Sequence, residues 1–317
     1  MNSRKIYSIF LLLGSMVLTG LTACSGSDDE PSKPDNDGVK VRRITITETE
    51  EAAARQMRTR ASLTEDDGLN ASWTAGDQLT YCNLSRTDYV FDSEQEQQVP
   101  KPYSGPLTAA STATTSQFTG SVYCLADDYL AVVYPATTFA TNESYTISLT
   151  GQDGTLATLA TTYHYVYGRA QVTPVTGTTA KATMSKMKSL LTVCKFSFVD
   201  RATSSSIPIK KLTISYGGSG GDAGTYPQSA TVAIIENSTI KEQSAVHAAG
   251  VADKGSLSIT CSSEQTEVYV ALLPTAAKRT FNFTVTNSSG TYTGTARATL
   301  VEGEYVVATG LKLTKQE

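Results

Sequence analysis

From Ile44 onward the chain returns repeatedly to one pattern: short segments in which apolar and polar residues alternate, parted by clusters of Gly, Asn, Asp and Ser. A period of two places alternate side chains on opposite faces of an extended backbone, so each such segment reads as a strand with one buried face. Ile44 and Ile46 alternate with Thr45 and Thr47. Tyr163, Tyr165 and Tyr167 alternate with His164 and Val166, and further sets follow at Leu212, Ile214 and Tyr216, at Leu257, Ile259 and Cys261, and at Phe281, Phe283 and Val285. Two runs do not alternate, Leu130–Tyr134 and Val268–Leu273. Being apolar throughout and stopped by Pro135 and Pro274, they predict central strands buried on both faces. Helical periodicity is confined to Glu50–Met57 and Ala182–Leu191, neither of which carries a long apolar stripe. The fold class expected is all-β: two tandem β-sandwich domains of transthyretin-like or Greek-key type.

The first residues impose a different constraint. Arg4 and Lys5 precede an apolar run from Ile6 to Leu18, too short to cross a bilayer comfortably, and the run closes on Leu21-Thr-Ala-Cys24. This is the pattern of a secretory leader, and its end resembles a bacterial lipobox. The resemblance implies that Cys24 is lipidated, with palmitate among its acyl chains, after cleavage of residues 1–23. Residues 24–40 are acidic and lack apolar periodicity, which makes them a flexible tether. A Thr- and Gly-rich break at 171–183 divides the rest into an N-terminal domain, 41–180, and a C-terminal domain, 181–317.

A net charge of −4 with 18% charged residues supplies no basic field for nucleic acid, which is not expected as a partner. Besides Cys24 there are Cys82, Cys124, Cys194 and Cys261, far apart and without metal-ligand spacing. Two disulfides remain open in an exported chain, alongside the reading favoured by their strand-like contexts, four buried free thiols. No cofactor is implied.

Catalytic constellations are weak. His164 and His247 lie far apart; His164 should point away from its tyrosine neighbours toward solvent, and His247 falls in a small-residue loop. Gly217-Gly-Ser219-Gly-Gly221 matches the spacing of a nucleophile elbow, with Asp222 and His247 downstream, but the turn-forming Asp-Ala-Gly-Thr-Tyr-Pro follows where a helix is needed. An enzyme is not expected. Trp73 with the Gly76-Asp77 turn reads as core filler and hairpin chemistry. Asn142 and Asn237 open acceptor-like triplets that mark surface loops.

Several features together resemble the fimbrillin family, lipoprotein-derived pilins of Bacteroidota. They are the lipobox and tether, Val41-Arg-Arg-Ile-Thr-Ile-Thr47, Met57-Arg-Thr-Arg-Ala61, Trp73-Thr-Ala-Gly-Asp77, Tyr129–Ala136, Met184–Phe196, Val301-Glu-Gly-Glu-Tyr305 and Leu311-Lys-Leu313. The histidine usual near the start of the family's second domain is absent. The acidic stretch behind Cys24 also resembles a surface-export signal of that phylum. The resemblance implies a surface lipoprotein of the outer membrane that matures into a fimbrial subunit supporting adhesion. A protease would cut after Arg60 or Arg58, removing the lipid and residues 41–60 with Ile44 and Ile46. The groove so opened would accept a strand of another subunit, of the same or a different kind, from the region of Tyr305, Val307, Leu311 and Leu313. Uncleaved anchors and tip subunits belong to the same family. A lipid-anchored glycan-binding protein, using Tyr163–Tyr167 as a stacking platform toward a host or bacterial surface ligand, is the alternative from another class.

Overall fold

The computed structural model describes residues 39–49, 62–66, 68–139, 144–184, 186–234, 246–247 and 254–317. The leader, Cys24, nearly all of the tether, the helical segment expected at Glu50–Met57, and Arg58, Arg60, Asn142 and Asn237 lie outside the described residues.

The strands of the first half are β1 (Lys40–Glu48), β2 (Ser62–Asp66), β3 (Gly68–Ser72), β4 (Gln78–Asp92), β5 (Gln97–Ala109), β6 (Gln117–Cys124), β7 (Tyr129–Tyr134), β8 (Ser144–Ser148), β9 (Val166–Thr176), β10 (Thr179–Met184) and β11 (Lys188–Ser189). Those of the second are β12 (Thr192–Asp200), β13 (Ile209–Tyr216), β14 (Tyr226–Pro227), β15 (Ser229–Ala233), β16 (Val246–His247), β17 (Lys254–Gly255), β18 (Leu257–Gln265), β19 (Val268–Leu272), β20 (Arg279–Asn287), β21 (Gly290–Ala298) and β22 (Tyr305–Lys315). The class is all-β.

The alternation does not specify closure, and here the first large sheet closes on itself. Its order is β10-β1-β6-β5-β4-β7-β9, and β9 pairs back onto β10 from Thr176↔Thr179 to Ala170↔Met184. Closure pairs each ring strand on both sides over part of its length, while β5 meets β6 only at Leu107–Ala109 and the far half of the β4–β5 hairpin pairs only within itself. Inside the ring pack Ile44, Ile46, Trp73, Leu79, Tyr81, Phe118, Leu130, Val132 and Tyr134, with further aliphatic residues. The outer faces of β4 and β7 carry Cys82, Leu84, Ala131 and Val133 into a second core, shared with β12, β13, β18, β19 and β20. Leu130–Tyr134 thus lacks alternation because both faces of β7 are buried, and it sits centrally between β4 and β9, as expected.

The second large sheet runs β18-β13-β20-β21-β22-β12-β19. Val268–Leu272, expected as a central strand, is instead the last strand in this order, and its burial has another source. The segment after β8 lies along its free edge. Gly154 O accepts the Tyr269 N–H at 2.9 Å, and the Gln152 side-chain amide both accepts from Ala271 N at 2.8 Å and donates to Ala271 O at 3.0 Å. On the far side Gln152 O accepts the Thr260 N–H of β18 at 3.2 Å, so one strap joins the two end strands. Gly154 is required there: φ is +82°, and a Cβ would stand 2.9 Å from Val268 Cγ1.

Three further expectations fail locally. Residues 159–163 wind into a single π-helical turn, so the strand at Tyr163–Tyr167 begins only at Val166. With the phase of the alternation lost, His164 is 1% exposed rather than solvent-facing. Ala182–Leu191, expected to wind briefly, forms the end of β10 and then β11, because Ala180, Ala182 and Met184 fill the barrel interior beside β1 and β9. His247 lies on the two-residue strand β16, paired with Thr231, rather than in a loop.

Candidate functional site: the seat of the first strand

β1 occupies a slot bordered on both sides. It pairs antiparallel with β6, Lys40↔Cys124 through Thr47↔Gln117, and parallel with β10, Arg43↔Thr179 through Glu48↔Met184. Gly120 opposite Ile44 keeps the neighbouring β5 close, since a Cβ there would stand 2.6 Å from Pro106 O. Ile44 and Ile46 are completely buried. Each burial is worth roughly 1.5–3 kcal/mol, so the strand is firmly seated.

Reasoning from sequence missed the two ends of the inward face. Arg42 and Glu48 have the same parity as Ile44 and Ile46, and both are buried. The Arg42 guanidinium donates to the Cys124 carbonyl at 2.6 Å. The Glu48 carboxylate accepts the Trp73 indole N–H at 3.2 Å and the Met187 amide N–H at 3.3 Å. The parity in Lys-Val-Arg-Arg-Ile-Thr-Ile-Thr-Glu was the available signal. Trp73 is core, as expected: fully buried, it meets Phe118 and Tyr134 edge-on with centroids 5.0 and 5.5 Å apart. The Gly76-Asp77 turn is closed by Asp77 N–H to Thr74 O at 3.0 Å, with φ of +94° at Gly76.

Tyr305, Val307, Leu311 and Leu313 lie on β22 in the second sheet, so they are not brought to Ile44 and Ile46 within one chain. β22 pairs parallel with β12 from Tyr305↔Val193 to Leu313↔Asp200, whereas its ladder with β21 is only Tyr292↔Lys315 and Thr293↔Thr314. Leu313 is buried, Leu311 is half-buried and Val307 is 55% exposed.

A second feature absent from the sequence reading ties the hairpin β2–β3 to these late strands. Glu65 of β2 accepts hydrogen bonds from the Tyr269 hydroxyl, from the Tyr305 hydroxyl at 2.7 Å and from Lys195 Nζ at 3.0 Å. Those three donors, Tyr269 foremost, bring its carboxyl down to about 2. Lys195 also pairs with Glu267 at 2.9 Å, the largest cause of its raised pKa. Burial together with Glu65 raises both tyrosines.

Cys82, Cys124, Cys194 and Cys261 are buried free thiols. Burial pushes Cys82 and Cys194 up to about 12 and Cys124 to about 11. The Gly217–Gly221 stretch is an exposed bend and turn between β13 and β14, with no helix behind Ser219. Of the tyrosine platform, Tyr163 is buried with its hydroxyl donating to Thr150 O at 2.6 Å, and the Tyr165 hydroxyl donates to Ser148 O at 3.0 Å.

No family model and no curated protein matches the chain. Among solved structures it is similar to a candidate cell adhesion protein of Bacteroides uniformis ATCC 8492, at 15% identity over 89% of this chain and 97% of the other, with a TM-score of 0.48. A candidate cell adhesion protein of Bacteroides ovatus ATCC 8483 matches at 12% identity over 88% and 97%, TM-score 0.45. A shaft pilin of Lactobacillus rhamnosus GG matches at 10% identity over 88% and 99%, TM-score 0.32.

Proposed function

We propose that this chain is a fimbrial subunit of the fimbrillin kind, exported as a lipoprotein through Cys24, anchored on the cell surface and matured by cleavage after Arg60 or Arg58. On this reading the cut releases residues 41–60 with β1, another subunit supplies a replacement strand, and the polymer supports adhesion. The observation that carries it is the position of β1. It lies N-terminal to both arginines, and it is the one member of the closed ring that a cut there would detach from the rest of the chain. Its loss would leave β6 and β10 with facing rows of unpaired N–H and C=O groups and two empty apolar slots, the arrangement that strand addition fills.

The test is the N-terminus and mass of the protein recovered from its native cell surface, in the wild type and in Arg60→Ala. Fibres of subunits that begin at Ala61 or Thr59 without lipid support the reading, as does an unpolymerised, lipidated Arg60→Ala precursor. A wild-type monomer that retains acylated Cys24 refutes polymerisation and leaves an anchor subunit. Normal fibres from a doubly substituted Arg58→Ala, Arg60→Ala chain refute the cleavage step.

A further inference from the structure

The hairpin formed by β4 and β5 runs on past the ring. β4 pairs with β7 only from Thr80 to Asn83, and the Ser85 hydroxyl then accepts the Tyr129 amide N–H at 3.0 Å, where β7 begins. From Thr87↔Pro102 to Asp92↔Gln97, β4 and β5 have no third strand beside them among the described residues. The base of this projecting piece is fixed by the buried Asp128 carboxylate, which accepts from Arg86 Nε at 2.8 Å and from Asn83 Nδ2 at 2.9 Å. Its two edges differ. β5 carries Pro100, Pro102 and Pro106 along the stretch that β6 does not cover. A proline has no N–H to give a neighbouring strand, so this edge is guarded against pairing. On β4, Tyr89 stands opposite Pro100, and its N–H goes to the neighbouring Asp88 Oδ1 at 2.9 Å rather than into the ladder. That parity turns the Tyr89 backbone outward, on an edge that carries no proline. Tyr89 and Phe91 are each 63% exposed there, the combination of solvated aromatics and accessible strand edge that invites another strand.

We infer that the β4 edges of two copies pair antiparallel about a two-fold axis at Tyr89. Two observations choose that register. The available stretch is 86–92, bounded by Tyr129 at its base and by the turn at 93–96, and Tyr89 is its midpoint. Two copies therefore use the whole stretch only when Tyr89 faces Tyr89. Charge selects the same alignment. Arg86, whose side chain is 35% exposed, comes opposite Asp92 of the second copy, and Asp88 comes opposite Val90 of the second copy. One step toward the tip would set Asp88 opposite Asp92, and one step toward the base would set Asp88 opposite Asp88, like charges that oppose pairing. In the selected alignment the two Tyr89 side chains meet on one face, and Phe91 lies beside Thr87 of the second copy. Each Tyr89 N–H exchanges its Asp88 cap for the Tyr89 carbonyl of the other copy. The product is a four-stranded sheet, β5-β4-β4-β5, whose outer edges are both proline-bearing, so association through this face closes at two copies. The pairing leaves β1 in its seat and does not rest on the cleavage reading.

The test uses the full chain recovered from cells and shown by mass to retain β1, in sedimentation runs over a concentration series. The expected result is a reversible monomer–dimer equilibrium, weakened about tenfold or more by Tyr89→Pro, which removes two intermolecular hydrogen bonds. That variant spares the β4–β5 ladder, in which the Tyr89 N–H takes no part. Tyr89→Phe, which keeps the N–H, should dimerise as the wild type does. With a short thiol crosslinker Tyr89→Cys should link to its own kind, the bridge being mapped by mass spectrometry. Thr87→Cys and Phe91→Cys should link only when the two variants are mixed. A dimer untouched by Tyr89→Pro places the contact elsewhere and overturns the inference, as does a chain that stays monomeric at every concentration. Self-linking by Phe91→Cys without self-linking by Tyr89→Cys overturns the register. Crosslinks from position 89 to a different polypeptide alone overturn the second copy as occupant. None of these outcomes bears on the departure of β1, which the N-terminus of the surface protein decides.

Discussion

The carboxylate of Glu65 accepts the hydroxyl of Tyr305 at 2.7 Å, joining the hairpin that follows the two candidate cleavage arginines to the first residue of the last strand. The two groups are 240 residues apart in sequence. With Tyr269 and Lys195 they form a cluster on the second sheet's surface, screened by solvent and built mainly of hydrogen bonds.

That cluster should be acid-sensitive. The folded carboxyl of Glu65 is lowered to about 2, so its contribution is fully present above the ordinary glutamate range, near 4.3, and is lost as the pH falls toward 2. Hydrogen exchange of hairpin 62–72 should accelerate across that window in the wild type. A Glu65→Gln chain should show no such step, and its stability at neutral pH should drop by no more than about 1 kcal/mol because the site is exposed.

Glu48→Ala should be far more costly. It leaves the Trp73 indole and the Met187 amide without their buried acceptor, a penalty of about 1–3 kcal/mol for each unpaired group. Denaturant unfolding would show a lower midpoint, and Glu48→Gln, which keeps an acceptor oxygen, should recover part of the loss.

Gly154→Ala tests the strap between β18 and β19. The substitution meets both a left-handed backbone, φ +82°, and Val268 Cγ1 at 2.9 Å, and should destabilise by about 2–4 kcal/mol. Gly218→Ala, with φ +99° but open space around it, should cost only the backbone strain of about 1 kcal/mol. Thermal unfolding of the two variants should therefore separate clearly.

Cys82, Cys124, Cys194 and Cys261 should resist alkylation in the folded protein at pH 8, because burial raises each thiol well above that pH and shields it. All four should react once denaturant is added, without any reductant. A requirement for reductant would demonstrate a disulfide instead.

Much of the fold was readable because strands record their burial in parity. Ile44 and Ile46, Leu212 and Ile214, and Phe281 and Phe283 are all buried as the alternation required. The same parity marks Arg42 and Glu48 as inward-facing, against the general rule that charged residues are exposed unless paired. It failed at Tyr163, since one π-helical turn breaks the period with no glycine or proline to announce it. It also misplaced β19 within its sheet, where the missing neighbour is a glutamine side chain rather than a strand. The Glu65 cluster was out of reach for another reason: its donors come from three different strands, and nothing near Glu65 in sequence marks it.

The closure of the first sheet bears on how such a chain can be stored. Seven strands are hydrogen-bonded in a ring, so β1 itself has a neighbour on each side, whereas the far half of the β4–β5 hairpin, Thr87–Asp92 with Gln97–Pro102, pairs only within itself. Freeing β1 means extracting two isoleucines and two charged residues from their buried sites. In the intact chain the seat of β1 is filled and paired on both sides, by β6 and by β10.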